Sequence, residues 1–192
     1  MQPEVMTGDL FDLPVGPPGF SYQEDLITED EECDALAKLA GLPFEPFKFQ
    51  TFEARRRVVS FGLRYDFSGA GLVEAEPMPD WLLPLRDRAE AFAGLPVGSF
   101  AQVLINEYLP GAPIGWHRDR PVFDKVVGIS LGSETVLRFR RKEGARWVRT
   151  AVALAPRSAY LLDGPARALW EHSLPEAKAH RYSVTFRNLR RP

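Results

Sequence analysis

The chain has 192 residues, 45% of them apolar and 26% charged, with a formal net charge of −2. That is ordinary globular usage, long enough for a single domain with a full core, and no stretch approaches the roughly 18 consecutive apolar residues of a membrane helix. The single cysteine, Cys33, excludes an intramolecular disulfide framework and suits a reducing cytoplasm, and Met1-Gln2-Pro3-Glu4 lacks the basic start of a signal peptide.

The charge is unevenly distributed. Residues 1–34 carry ten acids and no Lys or Arg, which leaves 16 acids (26 minus 10) against 24 bases in the rest. A basic body raises nucleic acid as a partner, although a solvated surface explains the same numbers. Residues 1–24, with several Pro and Gly, read as an irregular arm or an edge strand. Thr28-Glu29-Asp30-Glu31 is a capping-box pattern. The spacing of Cys33, Leu36, Leu39 and Ala40 then predicts a helix ended by Gly41, with Cys33 structural and not nucleophilic. A Phe-rich segment from Phe44 to Phe52 leads into Arg55-Arg56-Arg57-Val58-Val59-Ser60-Phe61-Gly62, which reads as a strand or hairpin. A second helix is expected from about Trp81 to Ala93, closed by Gly94.

From Ser99 the texture changes to short β-runs separated by turn residues, with strands expected near 100–108, 114–119, 126–131, 135–141, 146–154, 159–163, 168–173 and 180–188. Eight short strands after two helices predict an α+β, mostly β fold: a double-sheet jelly roll with the N-terminal helices packed on one sheet. The expected organisation is one domain over 1–192, with helices over 1–95 and the jelly-roll core over 96–192. No repeat, heptad pattern or low-complexity tract is present.

Three patterns in the second half carry chemistry. Residues i and i+2 of a strand share a face, so His117 and Asp119 would project together, with Arg118 directed away. His172, 55 residues after His117, lies on a later strand that a barrel could bring opposite. Two histidines and a carboxylate are the donor set that holds non-haem Fe(II) and leaves positions open. A structural histidine bonded to a nearby acid would explain His-x-Asp alone. His180 has no partner at ligand spacing. In the tail, Arg181, Ser183, Thr185 and Arg187 share one strand face, and Tyr182, Val184 and Phe186 share the other. Two inward arginines are costly to bury unless anions meet them, and they suit a molecule with a carboxylate at each end. The alternative is an edge strand with its arginines in solvent. Asn106 and Tyr108 form another i, i+2 pair that could donate to the same anion, or Tyr108 is simply a core aromatic.

Together, Asn-x-Tyr (106–108), His-x-Asp (117–119), His172 and Arg-x-Ser-x-Thr-Phe-Arg (181–187) resemble the AlkB family of Fe(II)- and 2-oxoglutarate-dependent dioxygenases. The resemblance covers residues 100–188 and extends loosely into Gly128-Ile129-Ser130-Leu131-Gly132-Ser133, with residues 1–95 matching only in layout, as the part that builds a nucleotide-facing lid. It implies a double-stranded β-helix, Fe(II) on His117, Asp119 and His172, and O₂ and 2-oxoglutarate as co-substrates. Arg181 and Tyr108 would bind the distal carboxylate of 2-oxoglutarate, and Arg187 and Asn106 the end that chelates iron. The implied reaction is oxidative demethylation of N-alkylated bases in DNA or RNA, as in DNA repair.

Two positions depart from the repair members: Ser183 stands where Asn is usual, and Pro121 where an acid contacts the damaged base. The resemblance therefore specifies the oxidant more closely than the substrate. Candidates for holding a flipped base are Phe52, Phe61, Tyr65 and Trp116 for stacking, with Arg55, Arg56, Arg57 and Arg120 for phosphates. Aromatics of this kind are more often core, and the arginine run could be a solvated face. The expected partner is alkylated DNA or RNA, met by a cytoplasmic monomer with no membrane association. The competing readings are an AlkB-like oxygenase acting on a protein side chain or small molecule, and a non-catalytic jelly-roll binding module.

Overall fold

A computed structural model describes residues 16–49, 52–66 and 71–190; the side chains of 48, 49 and 52–54 are outside that description, so the Phe52 expectation falls there, as does most of the N-terminal arm. The chain begins with strand β1 (Phe20–Gln23), helix α1 (Glu29–Ala40) and the strands β2 (Glu45–Phe49) and β3 (Phe52–Phe61). A small hairpin, β4 (Leu63–Asp66) and β5 (Gly71–Glu74), precedes a 3₁₀ turn at Asp80–Leu82 and helix α2 (Leu83–Phe92). Eight more strands follow: β6 (Gln102–Tyr108), β7 (Ile114–His117), β8 (Phe123–Leu131), β9 (Thr135–Glu143), β10 (Arg146–Leu154), β11 (Ala159–Leu162), β12 (Glu171–Leu174) and β13 (Arg181–Leu189). A short helix, α3 (Gly164–Ala168), separates β11 from β12.

The strands form a large sheet in the order β1-β11-β8-β13-β6-β3-β2 and a smaller one in the order β10-β9-β12-β7, with β4 and β5 paired apart. Every pairing described is antiparallel. This is the expected mostly β jelly roll, enlarged by three strands, β1, β2 and β3, from the N-terminal half.

Two apolar clusters follow from strand alternation. On the outer face of the large sheet, Val103, Ile105, Val127, Ile129, Tyr182, Val184 and Phe186 pack against Ala35 and Leu39 of α1 and Leu85 and Ala89 of α2. Between the sheets, Tyr108, Val126, Leu137, Phe139, Val152, Leu154, Leu162 and Leu174 form a second cluster. Each fully buried aliphatic or aromatic side chain contributes about 1.5–3 kcal/mol relative to exposure.

Helix α1 starts where its capping box predicts. Thr28 N–H donates to Glu31 Oε2 at 2.9 Å, and Glu31 N–H donates to Thr28 Oγ1 at 3.3 Å. Its buried side is Glu32, Ala35 and Leu39, so Cys33 is exposed and outside the apolar face assigned from spacing. Glu32 is buried because it has partners: its carboxylate accepts from Gly132 N–H at 2.9 Å and lies 3.6 Å from Arg157. In α2, the fully buried Glu90 accepts from the backbone N–H groups of Gly98 at 2.9 Å and Phe100 at 2.8 Å, which fixes the approach to β6.

Candidate active site

The inner face of the large sheet and the edge of the small one meet at a cavity. Antiparallel pairing of β12 with β7 sets His172 directly opposite His117, with ring centroids 4.3 Å apart. Strand β7 stops at His117, so Asp119 lies in the segment beyond it and does not share a regular strand face, as alternation had suggested. Its placement comes instead from Arg187, which donates to Asp119 Oδ1 from Nη2 at 3.0 Å and from Nε at 3.2 Å. The other oxygen, Oδ2, is 3.7 Å from His172 Nε2. Arg167 of α3 secures the following segment by donating to the carbonyls of Arg120 and Phe123.

The protonation states suit metal binding. His117 Nδ1 lies 2.9 Å from the Gly115 carbonyl, which can only accept, so in the neutral tautomer the proton sits on Nδ1 and Nε2 is the nitrogen that would face a metal. Burial, reinforced by His117, pushes the His172 pKa down to about 3, leaving a neutral ring at physiological pH. For Asp119, burial alone would raise the pKa, but Arg187 and the two histidines outweigh it and hold the carboxyl well below the usual range. Among the described residues, no three His, Cys, Asp or Glu side chains stand as a finished ion cage. Asp119 is turned toward Arg187, so the trio fits in donor type and location and requires a side-chain adjustment to close on an ion.

The arginine strand is fully interior. β13 lies between β8 and β6, which removes the edge-strand alternative, and Arg181, Ser183, Thr185 and Arg187 are all buried. Arg181 is 2% exposed; its Nη2 donates to Ser130 Oγ at 2.9 Å, and its guanidinium lies 4.7 Å from the centroid of the Tyr108 ring. Among the described residues, its Nε and Nη1 have no hydrogen-bond partner. Burial lowers its pKa, yet a guanidinium stays charged in a protein, so two unsatisfied donors on a buried cation call for an anion. Asn106 donates to Ser183 Oγ at 3.4 Å, and the Tyr108 and Ser183 hydroxyls are 3.5 Å apart. Ser183 therefore ties the Asn-x-Tyr strand to the arginine strand.

The residues expected to hold a nucleic acid are scattered. Phe61 is buried in the cluster under the helices and packs there, contrary to a stacking role at the site. The Arg55–Arg57 run is not one patch. Val58 pairs with Asn106, which puts Arg56 on the inner face and Arg57 on the outer. Arg57 bonds to buried Glu107, which also accepts from His180 and Tyr182. Arg55 is exposed. Arg120 lies 4.5 Å from the Tyr65 ring centroid, and Trp116 is stacked by Arg138 and Arg140. Pro121 is exposed in the segment after Asp119.

Three participants escaped the sequence reading. Tyr160 lines the cavity, and its ring passes so close to Gly128 that a Cβ there would stand 2.3 Å from Tyr160 Cζ. The signal was a glycine inside a strand. Ser130, the partner of Arg181, lies two residues on in the same strand. Arg167 gave no signal, because its α3 helix is five residues long.

A family model described as the 2OG-Fe(II) oxygenase superfamily matches residues 37–187. The chain belongs to this superfamily. It is 32% identical over 194 residues to the uncharacterized protein L905 of Acanthamoeba polyphaga mimivirus, covering 89% of this chain and 85% of that one. It is 27% identical over 194 residues to the alkylated DNA repair protein ALKBH8 homolog of Arabidopsis thaliana; the match covers 88% of this chain and 54% of that relative, so the chain spans about half its length. The fold is similar to that of OsALKBH1, with a TM-score of 0.69 at 16% identity over 90% of this chain and 99% of that one. This 2OG-Fe(II) oxygenase is therefore AlkB-like, a dioxygenase whose cofactor is Fe(II) and whose co-substrates are 2-oxoglutarate and O₂. Among the described residues, no helix is long and apolar enough to cross a membrane.

Proposed function

We propose that this oxygenase removes alkyl groups from base nitrogens of DNA or RNA. His117, Asp119 and His172 hold Fe(II), Arg181 and Tyr108 bind the distal carboxylate of 2-oxoglutarate, and Arg187 and Asn106 bind the end beside the metal. The observation that carries the reading is the buried Arg181 guanidinium with two donors unpartnered, stacked on Tyr108, which lines the cavity holding two facing histidines and a carboxylate. The AlkB-like family membership and the name of the Arabidopsis relative support the substrate class.

The overall chemistry is N–CH₃ + O₂ + 2-oxoglutarate → N–H + formaldehyde + succinate + CO₂. One oxygen atom ends in succinate and the other in formaldehyde, so carbon and electrons balance. Bound iron supplies the activation of O₂. The protein's own part is to present two imidazoles to the metal, anchor a dianion in a buried pocket and orient the substrate carbon. Arg187 has a double duty, since it positions Asp119 and meets the co-substrate. Arg56 of β3 lines the cavity, so a lid built by the N-terminal half would lie on that side of it.

The second reading, oxidation of a protein side chain or small molecule, is motivated by Ser183 and Pro121 and by the dispersal of the arginine run. Release of formaldehyde from methylated single-stranded DNA, methylated RNA and methyl-lysine peptides separates the two. The proposal expects turnover on at least one nucleic acid; turnover on peptides alone would overturn it.

A further inference from the structure

The charged groups facing the cavity are unequal. Arg56 and Arg187 line it, and Asp119 is its only carboxylate among the described residues. Asp119 is already engaged by Arg187 at 3.0 Å. Arg56 is placed differently. It donates from Nε to Asn106 Oδ1 at 3.3 Å and its guanidinium lies 3.9 Å from the centroid of the Phe47 ring, but no carboxylate pairs with it among the described residues. Burial lowers its pKa, Tyr108 raises it and Arg187 lowers it, with no carboxylate among the causes. Fe(II) and the 2-oxoglutarate dianion cancel when both are bound. The cavity therefore stays cationic whichever arginine takes either carboxylate.

We infer that the site selects against cationic substrates, accepting neutral N-alkylated bases, and that Arg56 is the specificity-determining residue. This rests on the base-dealkylation reading above. A methyl group on adenine N1 or cytosine N3 makes the base a cation at neutral pH, whereas the same methyl on the exocyclic amine leaves it neutral. A cationic base would bring a like charge to Arg56 in a partly desolvated cavity, where the described lining residues offer no free carboxylate to offset it. A neutral base instead offers ring nitrogens and carbonyls as acceptors to the guanidinium, and a flat face beside the Arg56–Phe47 stack.

Isomeric pairs test this directly: single-stranded oligonucleotides carrying N6-methyladenine against 1-methyladenine, and N4-methylcytosine against 3-methylcytosine, at pH 7. Formaldehyde release gives kcat/KM, and fluorescence anisotropy without O₂ gives binding. The neutral isomer of each pair is expected to be favoured by about tenfold or more. Arg56→Gln should shrink that ratio and Arg56→Glu reverse it, with thermal midpoints confirming that both variants fold. Equal or faster turnover of the cationic isomers by the wild type overturns the inference and leaves base dealkylation standing. A ratio unmoved in both variants overturns the role of Arg56. Turnover of neither isomer of either pair overturns base dealkylation, and this inference with it.

Discussion

Arg181 is the residue on which most depends. A guanidinium that is 2% exposed, with Nε and Nη1 unpartnered, gains its full stabilisation only when an anion arrives. Lysine keeps the charge but loses the planar fork, so Arg181→Lys should raise the 2-oxoglutarate KM by about tenfold or more with the fold intact, as read from succinate formation against co-substrate concentration. Alternation along 181–187 was legible because an apolar face, Tyr182-Val184-Phe186, identified the opposite one. The same logic cannot be completed at 55–61. Alternation gives parity, but which parity faces the cavity is set by pairing Val58 with Asn106, a contact 48 residues away in sequence that no local pattern encodes. Hence Phe61 went to the core and Arg56 to the site.

At the scale of elements, both long helices were legible from their ends. Thr28→Ala removes one half of the capping box and should lower stability by about 1 kcal/mol in denaturant unfolding. Glu31, the other half, also bonds Arg88 of α2. Arg88 first, then the Thr28 backbone, depresses its pKa from 4.5 to about 2. Stabilisation from a depressed acid is fully present above the unfolded value of 4.5 and is lost as pH falls toward 2. Glu31 is 38% exposed, so the effect is screened by salt. Melting curves at low salt should therefore drop between pH 4.5 and 2 less steeply in Glu31→Gln than in the wild type, and high salt should narrow the difference. Gly128 is the other informative position. An alanine there must displace the Tyr160 ring, so Gly128→Ala should weaken 2-oxoglutarate binding and lower stability by about 1–3 kcal/mol, measured by titration and thermal melts. The β4–β5 hairpin and α3 were missed because four- and five-residue elements are too short to show a period.

For the whole molecule, the jelly roll could be read from the spacing of strands and turns after Ser99. The division into seven and four strands could not, because β1, β2 and β3 join the large sheet through pairings with β11 and β6 that are remote in sequence. The consequence is a cavity whose walls come from both sheets. A metal and dianion that bind only the folded chain stabilise it by mass action. Anaerobic addition of Mn(II) with 2-oxoglutarate should raise the thermal midpoint by several degrees, and His172→Ala should abolish most of that shift.

The assignment of His117, Asp119 and His172 as the iron ligands is tested most directly by anaerobic equilibrium dialysis of Fe(II) in the presence of 2-oxoglutarate. The wild-type chain should bind one Fe(II), and His172→Ala, folded by its melting curve, should bind it at least about tenfold more weakly. Undiminished Fe(II) binding by that variant would place the metal elsewhere.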